Sequence, residues 1–153
     1  MAIFRIPGPC EVEWDGNPLG VTRQGVTIRI RHSLAPVMDD AHGASPAAFI
    51  STGKSAIVTL EALDMGLFKT AWDNLLQLYD VGRLASAMSH VLDIYERGSA
   101  EPDWTAEQAT CIDPSIIELR ATQELRLDVS FLITPTPYGE SGYHRLFSAY
   151  RLS

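Results

Sequence analysis

The sequence predicts an α+β domain that is mainly antiparallel β-sheet. Apolar and charged residues alternate between Cys10 and His32. A stretch without regular periodicity follows from Ser33 to Thr52, and after Asp64 apolar residues recur at three- and four-residue steps. These patterns predict paired strands, a long projecting loop between the second and third strands, and a helix. At 153 residues the chain fits a single domain, residues 1–153.

The first two predicted strands form a β-hairpin, with strands at 11–14 and 26–31. Asp15-Gly16-Asn17-Pro18 separates them, because Gly and Asn tolerate positive φ and Pro cannot donate to a ladder. Strict alternation places the apolar side chains of both strands on one face of the sheet. These residues are Val12, Trp14, Val26, Ile28 and Ile30.

The segment 33–52 carries two prolines, a glycine and an Asp-Asp pair, which exclude a regular element through most of its length. A loop of about 20 residues is long for a compact domain and is typical of function or partner contact. Its beginning, 34–38, can extend the preceding strand beyond the sheet. We therefore expect a projecting arm that orders against a partner.

A third strand is predicted over 54–63, where Ile57, Val58 and Thr59 are β-branched, although a helix there also fits the apolar spacing. An amphipathic helix is then predicted from Asp64 to Tyr79, with Trp72 in its apolar stripe and packed on the sheet. A second helix is predicted over 84–95, ended by Arg97-Gly98.

The remaining chain is predicted to return to strands. The segment 99–114 reads as an acidic connection with one helical turn after Thr105. Strands are predicted at 116–119, at 125–133 and at 143–152, with turn chemistry over 134–142. The predicted order is β-β-(arm)-β-α-α-β-β-β.

Composition limits the function classes. The chain is 46% hydrophobic, and its formal net charge is −7. This negative charge argues against binding to a phosphate backbone, which requires clustered Lys and Arg. It has no apolar run of about 18 residues and its start lacks an apolar signal region, so we expect no membrane partner and a cytoplasmic protein. Cys10 and Cys111 are too few and too far apart for a disulfide framework or a zinc site, and are expected to be buried free thiols.

The motif most suggestive of chemistry is Thr52-Gly53-Lys54-Ser55, which matches the end of a nucleotide-binding P-loop. Ala48 occupies the position where that loop needs its first glycine, and the following residues favour a strand over the required helix. The histidines lack metal-ligand spacing and lie beside no recognisable nucleophile motif. We therefore expect no enzyme activity, cofactor or metal. The alternative is a small phosphate- or ligand-binding β-barrel protein, or an enzyme, that uses Gly53-Lys54-Ser55.

The outward faces of the predicted strands carry mixed charges and lie next to the long arm, which is typical of a protein whose edges pair with copies of itself. These charged residues are Glu11, Glu13, Arg29, Arg31, Glu124, Arg126 and Asp128.

A set of turn glycines and strand residues carries a resemblance to a known family. It comprises 11–16, 19–22, Gly25-Val26, Gly43, Pro46, Thr52-Gly53, the helix start near Asp64, the strand containing Phe131 and the strand from Tyr143. In this order of segments the chain resembles the tail tube proteins of tailed bacteriophages, which are similar to inner-tube proteins of contractile injection systems. It departs from their simplest pattern between Gly82 and Pro114.

The resemblance implies a β-sandwich or split-barrel domain with a flanking helix. It also implies a structural virion protein, assembled in the host cytoplasm, whose hexameric rings stack into a hollow tube through which DNA is ejected. It also allows sheath, baseplate and tail terminator proteins as partners. The arm would contact the neighbouring ring through Leu34, Val37, Met38, Asp39, Asp40, Phe49 and Ile50. DNA would pass without specific binding along a lumen whose candidate residues are Glu11, Glu13, Glu124 and Asp128. An acidic wall suits this role because like charge opposes binding of DNA.

Overall fold

The computed structural model describes residues 2–41, 43, 45–64, 89–96, 98–112, 116–118, 126–140 and 142–150. Within these ranges the chain forms ten strands and no helix. The strands are β1 (Ala2–Ile6), β2 (Cys10–Trp14), β3 (Asn17–Val37), β4 (Ala48–Asp64), β5 (His90–Glu96), β6 (Trp104–Cys111), β7 (Ile116–Glu118), β8 (Arg126–Ile133), β9 (Thr136–Pro137) and β10 (His144–Arg145). The predicted antiparallel sheet is confirmed, whereas the α+β class with a flanking helix is wrong for the described part of the chain.

Six of these strands close into a barrel. The neighbour order runs β3-β2-β5-β6-β8-β4, and β4 pairs again with β3, so the sheet returns to its own first strand. Every pairing in it is antiparallel. β1 pairs with β3 beyond the end of β2, β7 pairs with β8, and β9 with β10 form a separate two-stranded sheet. Closure leaves the six barrel strands few unpaired edges.

The barrel interior is filled by the apolar residues that alternation predicted. Val12, Trp14, Val26 and Ile28 are buried, and Ile30 packs against them. They meet further buried side chains from β4, β5, β6 and β8, which are Val58, Leu60, Leu63, Leu92, Ile94, Trp104, Val129, Phe131 and Ile133. The first hairpin turns at Asp15-Gly16, where both residues have positive φ, and the strand resumes at Asn17. The prediction of its inward face is confirmed, although Asn17 and Pro18 belong to a strand and not to the turn.

Three sequence predictions are wrong in the second half of the described chain. Of the second predicted helix, over 84–95, residues 84–88 lie outside the described residues, and the part from His90 onward belongs to β5, where Leu92 and Ile94 point inward with a period of two. The predicted acidic connection contains β6, whose inward positions include Trp104, Ala106 and Ala109. The predicted final strand is reduced to β10 and an isolated bridge between Thr105 and Ala149.

The predicted helix from Asp64 to Tyr79 falls almost wholly outside the described residues. Asp64 itself ends β4 and pairs with Arg126 of β8. The packing of Trp72 therefore stays a prediction. Within the described chain, Phe131 belongs to the same buried cluster as the inward sheet face.

The projecting arm is a β-ribbon where the sequence predicted an irregular loop. β4 pairs with β8 only from Ala56 onward, whereas its pairing with β3 continues outward to Val37 and Ala48. The predicted extension of the strand over 34–38 is confirmed as far as Val37. Main-chain pairing accounts for this order, because each ladder bond satisfies groups that a loop would leave to water.

Gly25 is the glycine that the close approach of β1 to β3 requires. Its φ is +99°, and a Cβ built on it would lie 2.2 Å from the carbonyl oxygen of Ile6 in β1. Positive φ costs a non-glycine residue about 1–3 kcal/mol, and backbone overlap adds about 1–3 kcal/mol.

We expect Gly25→Ala to lower the free energy of unfolding by about twice as much as Gly8→Ala does. Gly8 is the matched control, since its φ is +87° but nothing lies within 4 Å of an added Cβ. Urea unfolding of both variants measures the difference. Equal losses would contradict the close approach of β1 to Gly25.

Candidate functional site

The arm exposes large apolar side chains where the barrel buries them. Leu34, Met38, Phe49 and Ile50 leave between 53% and 61% of their surface accessible. Such residues occur singly on most protein surfaces, but a cluster on one projecting element is typical of an interaction site. All four belong to the predicted set of inter-ring contacts.

Strand register explains why the arm is apolar. Val26, Ile28 and Ile30 face the barrel interior, and the same side of β3 continues outward through His32 and Leu34. On the partner strand, the bulge opposite Ser33 and Leu34 brings Ser51 and Phe49 to this side. One face of the arm is therefore the extension of a core-facing sheet surface, and none of the core residues in the described part of the chain covers Leu34 or Phe49, which stay more than half exposed.

The arm carries its charge at the tip. Between Ser33 and Ser51 the only acidic or basic residues besides His42 are Asp39 and Asp40, which follow the end of β3 and are exposed. Val37 is half-buried and pairs with Ala48 at the last rung of the ribbon. The seven predicted contact residues thus all lie on the arm. Its strands expose apolar side chains, and its tip carries the two carboxylates.

A groove of about 700 Å³ lies at the base of the arm, between the arm and the small sheet of β9 and β10. His32 Nε2 and Ser51 Oγ share a hydrogen bond of 2.6 Å, and Lys54 Nζ donates to the carbonyl oxygen of His144. Two tyrosine rings, of Tyr138 and Tyr143, form its outer wall with centroids 6.3 Å apart. The described residues that line it include no carboxylate, in a chain whose net charge is −7.

The segment Gly53-Lys54-Ser55 has none of the geometry of a phosphate-binding loop. It lies inside β4, where Gly53 pairs with Ser33 and Lys54 with His32. A P-loop presents free backbone N–H groups at the start of a helix, whereas this backbone belongs to a ladder and leads to further strand. The prediction that this segment is a strand is confirmed.

Glu11 and Glu13 lie on an acidic wall formed by β2 and β5. Glu11 pairs with Tyr95 and Glu13 with Asp93, so their side chains share the outward face. The Tyr95 hydroxyl donates to Glu13 Oε2 over 3.3 Å, and Thr105 Oγ1 donates to Asp93 Oδ1 over 2.8 Å. Burial raises the pKa of Tyr95, and the carboxylates of Glu13 and Asp93 raise it further. Neither strand contains a Lys or Arg, so this wall is uniformly negative.

The structure does not bring Asp128 to this wall. β8 is separated from β2 by two strands in either direction around the barrel. The Asp128 carboxylate accepts a hydrogen bond of 2.8 Å from the backbone N–H of Ala62, which has a positive φ at the irregularity in β4. Asp128 thus supports the barrel wall opposite Glu11 and Glu13. Glu124 lies outside the described residues.

Sequence reasoning missed two components of these surfaces. Asp93 and Tyr95 were assigned to a helix, although the inward spacing of Leu92 and Ile94 was a signal for a strand. The groove combines Lys54 with residues about 90 positions away, such as His144, and no local pattern reports such a pairing.

Other candidate chemistry is limited in the described part of the chain. It contains no cluster of three or more His, Cys, Asp or Glu side chains arranged to hold a metal ion. It also contains no helix long and apolar enough to cross a membrane. Cys10 and Cys111 are buried free thiols, as predicted, and burial raises the pKa of Cys10. No family model matches this chain, and no significant match was found among curated proteins.

Proposed function

We propose that this protein is a structural subunit that assembles through its arm into stacked rings, forming a tube of the phage tail type. The observation that carries the proposal is the arm, a two-stranded extension with apolar surface that the described barrel leaves uncovered. A sheet edge and apolar face of this kind favour pairing with another copy. The resemblance to tail tube proteins supplies the form of the assembly, namely hexameric rings, virion location and passage of DNA.

The energy available from one arm supports assembly by many contacts together. Full burial of a large apolar side chain stabilises by about 1.5–3 kcal/mol. The four exposed arm residues still have roughly half their surface to bury, so covering them contributes about 3–6 kcal/mol. Association costs about 4–15 kcal/mol. One arm contact therefore does not hold a pair firmly, whereas a closed ring with several neighbours per subunit does, and assembly is cooperative.

The acidic wall supports passage of DNA without retention. Glu11, Glu13 and Asp93 present carboxylates on one side of the barrel, with no Lys or Arg in the same two strands. Ring symmetry multiplies this charge, and DNA binding requires basic groups that release counterions. We place this wall toward the lumen.

The test is the particle that the purified chain forms. Light scattering and negative-stain microscopy over a range of concentrations should show rings or tubes, appearing above a threshold concentration. A particle of 16.8 kDa at every concentration would contradict the proposal.

Calorimetry with ATP and Mg²⁺ should show no heat above dilution, since the Lys54 segment lies in a strand. Micromolar binding would favour the ligand-binding alternative.

A further inference from the structure

The groove at the base of the arm has a chemistry that matches the tip of the same arm. Three basic or titratable side chains, His32, Lys54 and His144, border the groove together with two exposed tyrosine rings. The tip presents Asp40 next to an exposed apolar residue, Met38. Opposite charge and contact between Met38 and the tyrosine rings both favour binding of the tip to the groove. Like charge disfavours binding of the acidic tip to most of the remaining surface, which is itself acidic.

The tip cannot reach the groove of its own chain. The groove lies beside His32 and Lys54, while the ribbon continues for five further residues of β3 before the tip begins. Five residues of strand span about 17 Å at about 3.3 Å each. Cross-strand pairing from Leu34 to Val37 keeps the ribbon extended, so it does not fold back. Any arm tip in this groove belongs to a second molecule.

We propose that the groove at the base of the arm receives the Asp40 tip of a second copy of this chain. Tip and groove lie at opposite ends of one element, so the contact can repeat head to tail from one copy to the next. Repeated in this way without closing, it generates an open array, as growth along a tube requires. This inference rests on the proposed function, and it names the surface on the neighbouring subunit that the arm would occupy.

Charge reversal on each side tests the contact. Asp40→Lys places like charge against Lys54 of the neighbour, and Lys54→Glu places like charge against Asp40. Each variant alone should raise the threshold concentration for assembly by more than about tenfold. An equimolar mixture should assemble near the wild-type threshold, since alternating molecules restore opposite charges at every contact.

Two controls keep the result specific. Glu101→Lys changes the charge by the same amount as Asp40→Lys at an exposed position away from arm and groove, and should leave the threshold unchanged. Lys54 also holds the carbonyl of His144, so the exposed groove residue Tyr143 supplies a second partner for the mixture, as Tyr143→Glu. Melting temperatures show which variants fold.

The outcomes separate this inference from the proposed function. Wild-type tubes together with unaffected Asp40→Lys and Lys54→Glu variants would overturn the groove contact and leave the tube. Suppose that Asp40→Lys and Lys54→Glu each lose assembly, and that mixing Asp40→Lys with Lys54→Glu or with Tyr143→Glu does not restore it. This result would also overturn the groove contact. A wild-type chain that stays monomeric at all concentrations would overturn both.

Discussion

Replacing Leu34 and Phe49 together by aspartate is expected to abolish assembly and to leave the melting temperature of the monomer within a few degrees of wild type. Both side chains are more than half exposed on the arm, so they contribute little to the barrel. In an assembled tube they would be buried, and a buried unpaired carboxylate costs several kcal/mol per contact. Sedimentation and negative-stain microscopy measure assembly, and thermal unfolding measures the fold.

A matched control for this variant exists on the acidic wall. Val91 is 40% exposed at the start of β5, on the same outward side as Asp93. Val91→Asp adds a carboxylate to a surface that is already acidic and should permit assembly. Tubes from the doubly substituted arm would contradict the role of the arm, and failure of Val91→Asp would place the subunit contacts on the barrel wall instead.

Trp14→Ala is expected to leave the protein largely insoluble or partly unfolded at 37 °C. Trp14 is 3% exposed, its Nε1 donates to the carbonyl oxygen of Ala109 over 3.1 Å, and its ring lies 5.5 Å from Phe131. It therefore joins β2 to β6 and β8 through the barrel interior. Loss of such a side chain costs about 3–5 kcal/mol, against a total stability of about 5–15 kcal/mol.

Trp14→Phe separates packing from hydrogen bonding. It keeps most of the ring but leaves the Ala109 carbonyl without its indole donor, and should cost about 1–3 kcal/mol. Urea unfolding of whichever variants are soluble measures the loss of unfolding free energy in each. A Trp14→Ala protein that unfolds like wild type would show that the barrel does not close around this side chain.

Sequence periodicity was reliable where strands place bulky apolar residues inward and charges outward. β2, the central part of β3 and β8 follow this pattern, and their inward residues Val12, Ile28, Val129 and Phe131 are buried. It failed at β5, because adjacent apolar pairs such as Val91 with Leu92 fit both a helical and a strand period. It also failed at β6, whose inward positions include Ala106 and Ala109, because alanine favours strands weakly.

For the candidate surfaces, sequence reasoning found the components of the arm but not its form. The resemblance implied a contact role for the apolar and acidic residues of 34–50, which stays a prediction, and their composition suggested a loop. Pairing between β3 and β4 orders most of them as a ribbon, because hydrogen bonds between two long strands outweigh the weak local preference of residues such as Ala35 and Pro36.

The sequence by itself determined the strands around Val12, Ile28 and Phe131, the turn at Asp15-Gly16, the strand conformation of Lys54 and the position of the arm. These features depend on neighbours within a few residues, where alternation and turn chemistry act. Only the tertiary structure decided that the sheet closes, that Glu13 lies beside Asp93 while Asp128 lies across the barrel, and that Lys54 meets His144. Each of these depends on pairing between strands far apart in the chain, and the side-chain pattern of one strand does not specify which distant strand becomes its neighbour.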